Sequence, residues 1–187
     1  MIEVEIKLPI SEADTIRGKL LGLGFRESGW LQEYDVYFDD ARNSVRRNGE
    51  ALRVRETRDC RTGQVSAQLN FKGKKLDAST MTRQELETGV EDGDTCRELL
   101  QAIGYFPAVP QVRKERRMFK KDEVTACLDR VQGLGDFLEL EILAAREEEK
   151  DAALRKIEGI LQRLGYRISD TVQTSYLSML QKIQLIG

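Results

Sequence analysis

Apolar and charged residues take turns along the opening of this chain. Ile2, Val4, Ile6 and Leu8 alternate with Glu3, Glu5 and Lys7. A period of two predicts a strand with one apolar and one charged face. The pattern then recurs. A second strand is predicted over 31–39, with Tyr34, Val36 and Phe38 on one face. A third covers 50–58, where Leu52 and Val54 back Arg53 and Arg55, and a fourth covers 64–72, where Val65, Ala67, Leu69 and Phe71 back Ser66, Gln68, Asn70 and Lys72. A fifth, over 80–90, gives Arg83, Glu85 and Glu87 one parity. The sixth, over 111–120, has Lys114 and Arg116 on one face but is basic on both, which leaves its orientation open. The seventh, over 123–131, carries Asp129, and the eighth, over 136–143, sets Leu138, Leu140 and Ile142 against Glu139 and Glu141. Asn48-Gly49 predicts a hairpin turn, and Thr62-Gly63, Lys121-Asp122 and Gly133 to Gly135 predict further turns. Residues 73–79 read as a loop, and Pro107 and Pro110 exclude a regular central element before Gln111.

Four stretches switch to helical spacing. The first is expected over 11–23, opened by a capping box from Ser11 to Asp14 and stopped by Gly24. The second covers 95–103, with Cys96, Leu99, Leu100 and Ile103 as its apolar stripe. The third covers 146–164 and ends at Gly165, and the last covers 172–185 with Tyr176, Met179, Leu180 and Ile183. About eight amphipathic strands with mostly short connections predict an α+β fold, a closed antiparallel eight-stranded β-barrel with flanking helices. No linker divides the chain, so one domain over 1–187 is expected.

The charged faces have two readings. They either point to water, or line the barrel while helices cover the apolar outside. Two features favour the interior. Charges segregate by strand, with Arg53 beside Arg55 and Lys114 beside Arg116, but Glu3 beside Glu5 and Glu139 beside Glu141. The amphipathic helices also need an apolar surface to pack on. Unpaired buried ions cost several kcal/mol each, so a charged interior implies a charged ligand. Cationic walls facing carboxylate walls suit a polyphosphate, with arginine gripping phosphate oxygens and carboxylates reaching them through a divalent cation.

Composition narrows the partners. The 30 basic and 32 acidic residues give a net charge of -2, which argues against general nucleic-acid binding. Three widely spaced cysteines argue against a disulfide framework or a cysteine zinc site. No signal-like opening and no run long enough to span a bilayer is present, so a cytoplasmic protein without a membrane partner is expected. With no histidine there is no imidazole base, and any metal must take oxygen ligands.

The motifs resemble those of the CYTH superfamily, the triphosphate tunnel metalloenzymes. Glu3-x-Glu5-x-Lys7 matches the family's opening signature. Leu52-Arg53-Val54-Arg55, Phe71-Lys72-Gly73, Arg83-x-Glu85-x-Glu87, Lys114-Glu115-Arg116, Asp129 and Gly135-Asp136-Phe137-Leu138-Glu139-Leu140-Glu141 follow in order. The resemblance implies a tunnel that binds triphosphate with Mg2+ or Mn2+. It implies that Lys7, Arg53, Arg55, Lys72, Lys114 and Arg116 hold the triphosphate, with Arg83 as a further contact. Glu3, Glu5, Glu139 and Glu141 would hold metal, with Asp129 assisting. Arg83, Glu85 and Glu87 equally suit structural ion pairing. Length and the ending Thr174-Ser175-Tyr176-Leu177 are most like class IV adenylate cyclases, which convert ATP to cyclic AMP and pyrophosphate. Tyr176 fits a packing role as well as a site role. The barrel motifs do not separate that reaction from hydrolysis of inorganic, thiamine or nucleoside triphosphates, and a non-catalytic polyphosphate binder is a third reading. A homodimer is implied by the resemblance alone.

Overall fold

A computed structural model describes residues 2–75 and 83–185. Its strands are β1 (Ile2–Ile10), β2 (Arg26–Asp40), β3 (Ala51–Asp59), β4 (Val65–Lys75), β5 (Arg83–Val90), β6 (Tyr105–Pro107), β7 (Val112–Lys121), β8 (Val124–Val131) and β9 (Gly135–Ala144). Its helices are α1 (Ala13–Gly22), α2 (Ser44–Arg47), α3 (Gly93–Ala102), α4 (Lys150–Leu164) and α5 (Tyr176–Gln184). The sheet order is β3-β4-β5-β1-β9-β8-β7-β2-β6, and a further β3–β2 pairing closes eight strands into a ring. All the pairings are antiparallel, as the alternation predicts.

Several boundaries differ from the sequence reading. β2 begins at Arg26 rather than Leu31, with a bulge between Glu27 and Gly29 that lets the long strand bend. β4 runs through Gly73 to Lys75, into the expected loop, and the rest of that loop and the expected strand start at 80–82 lie outside the described residues. The Asn48-Gly49 turn belongs to a wider connection containing α2. Asp39 Oδ1 accepts from the Val45 amide at 3.0 Å, and Asp40 Oδ1 accepts from the Ser44 amide at 2.9 Å. Those carboxylates supply the caps that a two-residue hairpin would not need. Pro107 does not exclude β6, because β6 is an edge strand and only its partner side needs donors. At α1 the cap is Glu12, without a side-chain capping bond, so the expected Ser11 to Asp14 box is not formed. α5 starts at Tyr176 rather than Val172, because Ser175 accepts from the Ser178 amide at 3.2 Å and caps it there.

The apolar faces of β1, β8 and β9 point outward and are covered by α1 and α4. Leu20, Ile157, Leu161 and Leu164 are fully buried there, each stabilising the fold by about 1.5–3 kcal/mol. Gly165, with φ of 97°, ends α4 in the left-handed conformation that glycine adopts without strain. A second cluster seats Cys96 and Leu100 of α3 on Val36, Phe38 and Val54. The other half of the expected α3 stripe, Leu99 and Ile103, is exposed. Helices cover the outside of β1, β8, β9 and the β2–β3 region, while Val65 and Leu86 on β4 and β5 stay exposed, and the parity that carries Glu3, Arg53, Lys114 and Glu139 lines the barrel interior.

Candidate active site

The interior is a cavity of about 1330 Å³. Its cationic side is built by β3 and β7. Arg55 donates from Nε to Asp35 Oδ1 at 2.6 Å and from Nη2 to Oδ2 at 2.8 Å, a two-point grip. Arg53 Nη1 donates to Asp35 Oδ2 at 3.4 Å. Glu33 Oε2 lies 3.1 Å from both Arg55 Nη1 and Lys114 Nζ. Lys114 Nζ also donates to Asp129 Oδ2 at 3.0 Å, and Arg116 Nε donates to Asp129 Oδ1 at 2.6 Å. Arg116 Nη2 reaches Glu139 as well. Strand alternation puts these groups on one face, and the β2–β3 register sets Asp35 opposite Arg55.

Burial alone would raise the Glu33 and Asp35 carboxyls. The neighbouring Arg55, with Lys114 and Arg53, outweighs it and holds both well below the usual carboxylate range. Glu139 is likewise low, because Arg116, Lys114 and Lys7 outweigh its burial. These acids stay ionised and fix the cations. Two buried donors that line the cavity are left over, Arg53 Nε and Arg83 Nε. Neither has a hydrogen-bond acceptor among the described residues.

The acidic side differs. Glu5 stands opposite Glu141 in the β1–β9 register, and Glu3 is the next inward residue of β1. Lys72 Nζ lies 2.6 Å from Glu3, 3.4 Å from Glu85 and 4.0 Å from Glu5. Asn70 donates to Glu85 and, at 3.5 Å, to Glu87. Burial and then the Glu5 charge push Glu3 up to about 8, against the pull of Lys72. Burial and Glu5 also raise Glu141. Three carboxylates therefore crowd together with too little positive charge among them.

The remaining expected residues lie around these two sets. Lys7 Nζ sits 4.3 Å from the centroid of the Tyr176 ring, and Lys114 Nζ sits 5.3 Å from it. Tyr176 is buried, and its hydroxyl donates to Asp129 Oδ2 at 3.0 Å. Arg83 lines the cavity, but its Nη1 donates to the Gly49 carbonyl at 3.4 Å, beside the α2 connection. Glu87 is exposed and accepts from Gln68 Nε2 at 3.1 Å. Asp129 is surrounded by cations and the Tyr176 hydroxyl, whereas Glu3, Glu5 and Glu141 are not. Sequence reasoning passed over Glu33 and Asp35. The alternation that gives Tyr34, Val36 and Phe38 one face of β2 gives these two the other, so the signal was present. The expected picture of cationic walls facing acidic walls is accordingly adjusted. Glu33, Asp35, Asp129 and Glu139 interleave with the cations, and the separate acidic wall is Glu3, Glu5 and Glu141.

The donor set can be tested against a divalent ion. Among the described residues no group of three or more acidic, cysteine or histidine side chains is disposed to hold a metal by itself. Magnesium commonly takes only one or two carboxylates and completes its shell with water and substrate phosphates. Glu3, Glu5 and Glu141 are hard oxygen donors whose mutual repulsion a cation would relieve. The residues fit.

A closed antiparallel barrel with an ion-lined interior defines a tunnel protein for charged ligands. The chain matches the CYTH domain over residues 1–176 and belongs to that family. It is 35% identical over 179 residues to a Methanocaldococcus jannaschii protein provisionally named an adenylate cyclase, covering 96% of this chain and 98% of that one. It is 26% identical over 185 residues to the adenylate cyclase CyaB of Aeromonas hydrophila, covering 96% and 89%. A solved structure from Pyrococcus horikoshii superposes with a TM-score of 0.87 at 33% identity, over 97% of this chain and 99% of that one. A Hippeastrum protein described as an adenylyl cyclase with dominant triphosphatase activity shares the fold at a TM-score of 0.66 and 18% identity, over 97% and 95%.

Proposed function

We propose that the chain is a divalent-metal-dependent adenylate cyclase of the class IV type, converting ATP to cyclic AMP and pyrophosphate inside the barrel. The observation that carries the reading is the pairing, in one cavity, of an anchored cationic set with a crowded carboxylate set that Lys72 neutralises only in part. Lys7, Arg53, Arg55, Lys114 and Arg116 bind the phosphates, and Lys72 stands between phosphate and the acidic side. Arg53 Nε, buried without an acceptor among the described residues, is the kind of donor that an anionic oxygen satisfies. Glu33, Asp35, Asp129 and Glu139 keep the cations extended into the tunnel. Tyr176 orients Asp129 through its hydroxyl and cushions Lys7 and Lys114 through its ring.

Glu3, Glu5 and Glu141 would hold the magnesium or manganese, which when bound lowers the pKa of the attacking hydroxyl and neutralises charge that develops on phosphate. The arginine and lysine side chains hold the triphosphate in line for displacement at the α-phosphorus and stabilise the departing pyrophosphate. Names of relatives support the cyclase, and the homodimer and the choice of metal come from the family resemblance.

Hydrolysis of a triphosphate is the second reading. The same grip serves water attacking the terminal phosphorus, and the Hippeastrum protein of this fold carries that description. One assay separates them. The protein is incubated with ATP or tripolyphosphate and magnesium or manganese, and the products are identified. Cyclic AMP with pyrophosphate supports the cyclase. Orthophosphate from tripolyphosphate with ATP untouched refutes it. Binding without turnover of either refutes both enzymes and leaves a polyphosphate-binding module.

A further inference from the structure

We propose that the outer face of β2, β3 and β7 is a docking groove for an acidic, extended peptide segment of a partner protein. The groove lies on the other side of these strands from the tunnel and does not rest on the triphosphate reading.

β7 is basic on both faces, and the tunnel uses only one of them. Lys114 and Arg116 line the cavity, which leaves Arg113 and Arg117 on the outside. There α1 and α4 cover β1, β8 and β9, while α3 covers Val36 and Val54. Between those layers lies a groove of about 620 Å³. Strand register arranges its residues in rows. One row runs Val65, Arg58, Gln32, Glu115, Arg130 across β4, β3, β2, β7 and β8. The next runs Glu56, Tyr34, Arg113.

The acids of the groove are engaged already. Glu56 lies 2.5 Å from Arg97, and Glu115 accepts from Trp30 Nε1 at 2.9 Å. The cations are available. Arg58 and Arg113 are exposed and have no ion-pair partner among the described residues. Arg130 donates from Nε to Asp136 at 3.1 Å while its side chain stays 72% exposed. Arg113 sits over the Tyr34 ring, its guanidinium carbon 4.0 Å from the centroid, and Arg117 sits over Trp30 at 4.8 Å. Such a contact steadies an arginine and leaves its N–H donors free for a carboxylate.

This arrangement favours carboxylates over nucleic acid. Single-stranded nucleic acid needs bare aromatic faces for its bases, and both rings here already carry an arginine. Arg58 and Arg130 stand three strand spacings apart, about 14 Å. Acidic side chains four residues apart on an extended chain are separated by about the same 14 Å. One midway between them falls towards Arg113 in the neighbouring row. Gln32 can both donate to and accept from a peptide group. Val65 lies beyond Arg58 in its row and is 56% exposed, so it suits an apolar side chain at the next position on the same face.

The test is fluorescence polarisation of the full chain with a labelled peptide, Val-Ser-Glu-Ser-Glu-Ser-Glu, and with a labelled oligothymidylate, both at low salt. Wild type is compared with Arg58→Gln, Arg113→Gln and the double variant. We expect the peptide to bind, each substitution to weaken it about threefold and the pair about tenfold, the size of exposed ion pairs. Saturating tripolyphosphate with magnesium should leave it bound. Absence of binding overturns the groove, and so does binding that survives the double substitution or is matched by the peptide with glutamine for glutamate. Displacement by tripolyphosphate also overturns it, because the peptide then occupies the tunnel. Oligothymidylate that binds more tightly than the peptide, and is weakened by the same substitutions, overturns the peptide assignment in favour of nucleic acid. If Arg113→Gln disturbs Tyr34, as near-ultraviolet circular dichroism would show, Arg58→Gln carries the test, since Arg58 is exposed and has no ion-pair partner to lose among the described residues. A protein that binds no tripolyphosphate refutes the triphosphate reading and leaves the arginine substitutions to decide the groove.

Discussion

Replacing Glu3 with glutamine should stabilise the metal-free protein at alkaline pH and leave it unchanged in acid. Glu3 is buried beside Glu5, Glu85 and Glu141, with Lys72 at 2.6 Å as its cationic neighbour. The net result is a carboxyl raised from 4.5 to about 8. For an acid raised on folding, the folded protein holds a proton that the unfolded chain releases. The associated stability is complete below about 4.5 and is lost as pH climbs to about 8. At about 1.36 kcal/mol per pH unit, that interval is worth up to about 5 kcal/mol. Side-chain rearrangement towards water recovers part of it, so about 2–5 kcal/mol is expected. In a domain of this size the Glu3→Gln variant should then melt roughly 5–15 °C above wild type at pH 9. At pH 5 the two should coincide, since glutamine resembles the protonated acid. The assay is thermal unfolding at both pH values with chelator present, repeated with magnesium. Magnesium should raise the wild-type melting temperature more than that of the variant. A variant destabilised at both pH values would refute the reasoning and make Glu3 a structural partner of Lys72.

The remaining predictions concern the cationic side. Asp35→Asn strips the two-point partner from Arg55 and should cost about 3–5 kcal/mol in urea unfolding, because two buried guanidinium groups lose their anion; a cost under about 1 kcal/mol would mean Glu33 suffices. Tyr176→Phe keeps the ring over Lys7 but removes the hydroxyl from Asp129. It should lose about 1–2 kcal/mol of stability, and tripolyphosphate affinity should fall with it, as isothermal titration would read. Glu33, Asp35 and Glu139 are depressed acids, so their stabilisation is present above the unfolded pKa near about 4 and is lost as pH falls below it. A pH titration followed by circular dichroism should show unfolding that steepens below about pH 4, and a flat profile there would contradict the ion-pair assignment.

Much of this arrangement was legible in the alternation of single residues. The inward placement of Glu3, Arg53 and Glu139 followed from period two once the helices were seen to need an apolar outer surface. What the sequence left dark depends on neighbours across strands. The pairing of Glu139 with Arg116 rather than with a bare acidic wall comes from the order β9-β8-β7, which no single strand encodes. Tyr176 occupies an apolar stripe and a site position at once. Its helix covers the barrel end, so the ring packs on Phe137 while the hydroxyl reaches Asp129. The α2 connection escaped because Asn48-Gly49 is a strong local turn signal, while its capping carboxylates, Asp39 and Asp40, precede it by several residues.

The two kinds of carboxylate explain how a tunnel this charged stands folded before any ligand arrives. Glu33, Asp35, Asp129 and Glu139 offset the cost of burying arginine and lysine, and in doing so they aim them. Asp35 takes two of the five N–H donors of Arg55, and Glu33 lies near a third, so the plane of the guanidinium is fixed by protein. A phosphate oxygen arriving at such a group adds to existing bonds instead of ordering a loose side chain, which lowers the entropic cost of binding. Glu3, Glu5 and Glu141 make the opposite arrangement. Burial and this repulsion raise the Glu3 carboxyl in the metal-free protein, and a divalent ion would relieve the repulsion. On the proposed reading a metal would compete with the proton on Glu3, and phosphate held by the fixed cations would complete the metal's shell. Ligand and metal should bind cooperatively for this reason, each furnishing the charge that the other lacks.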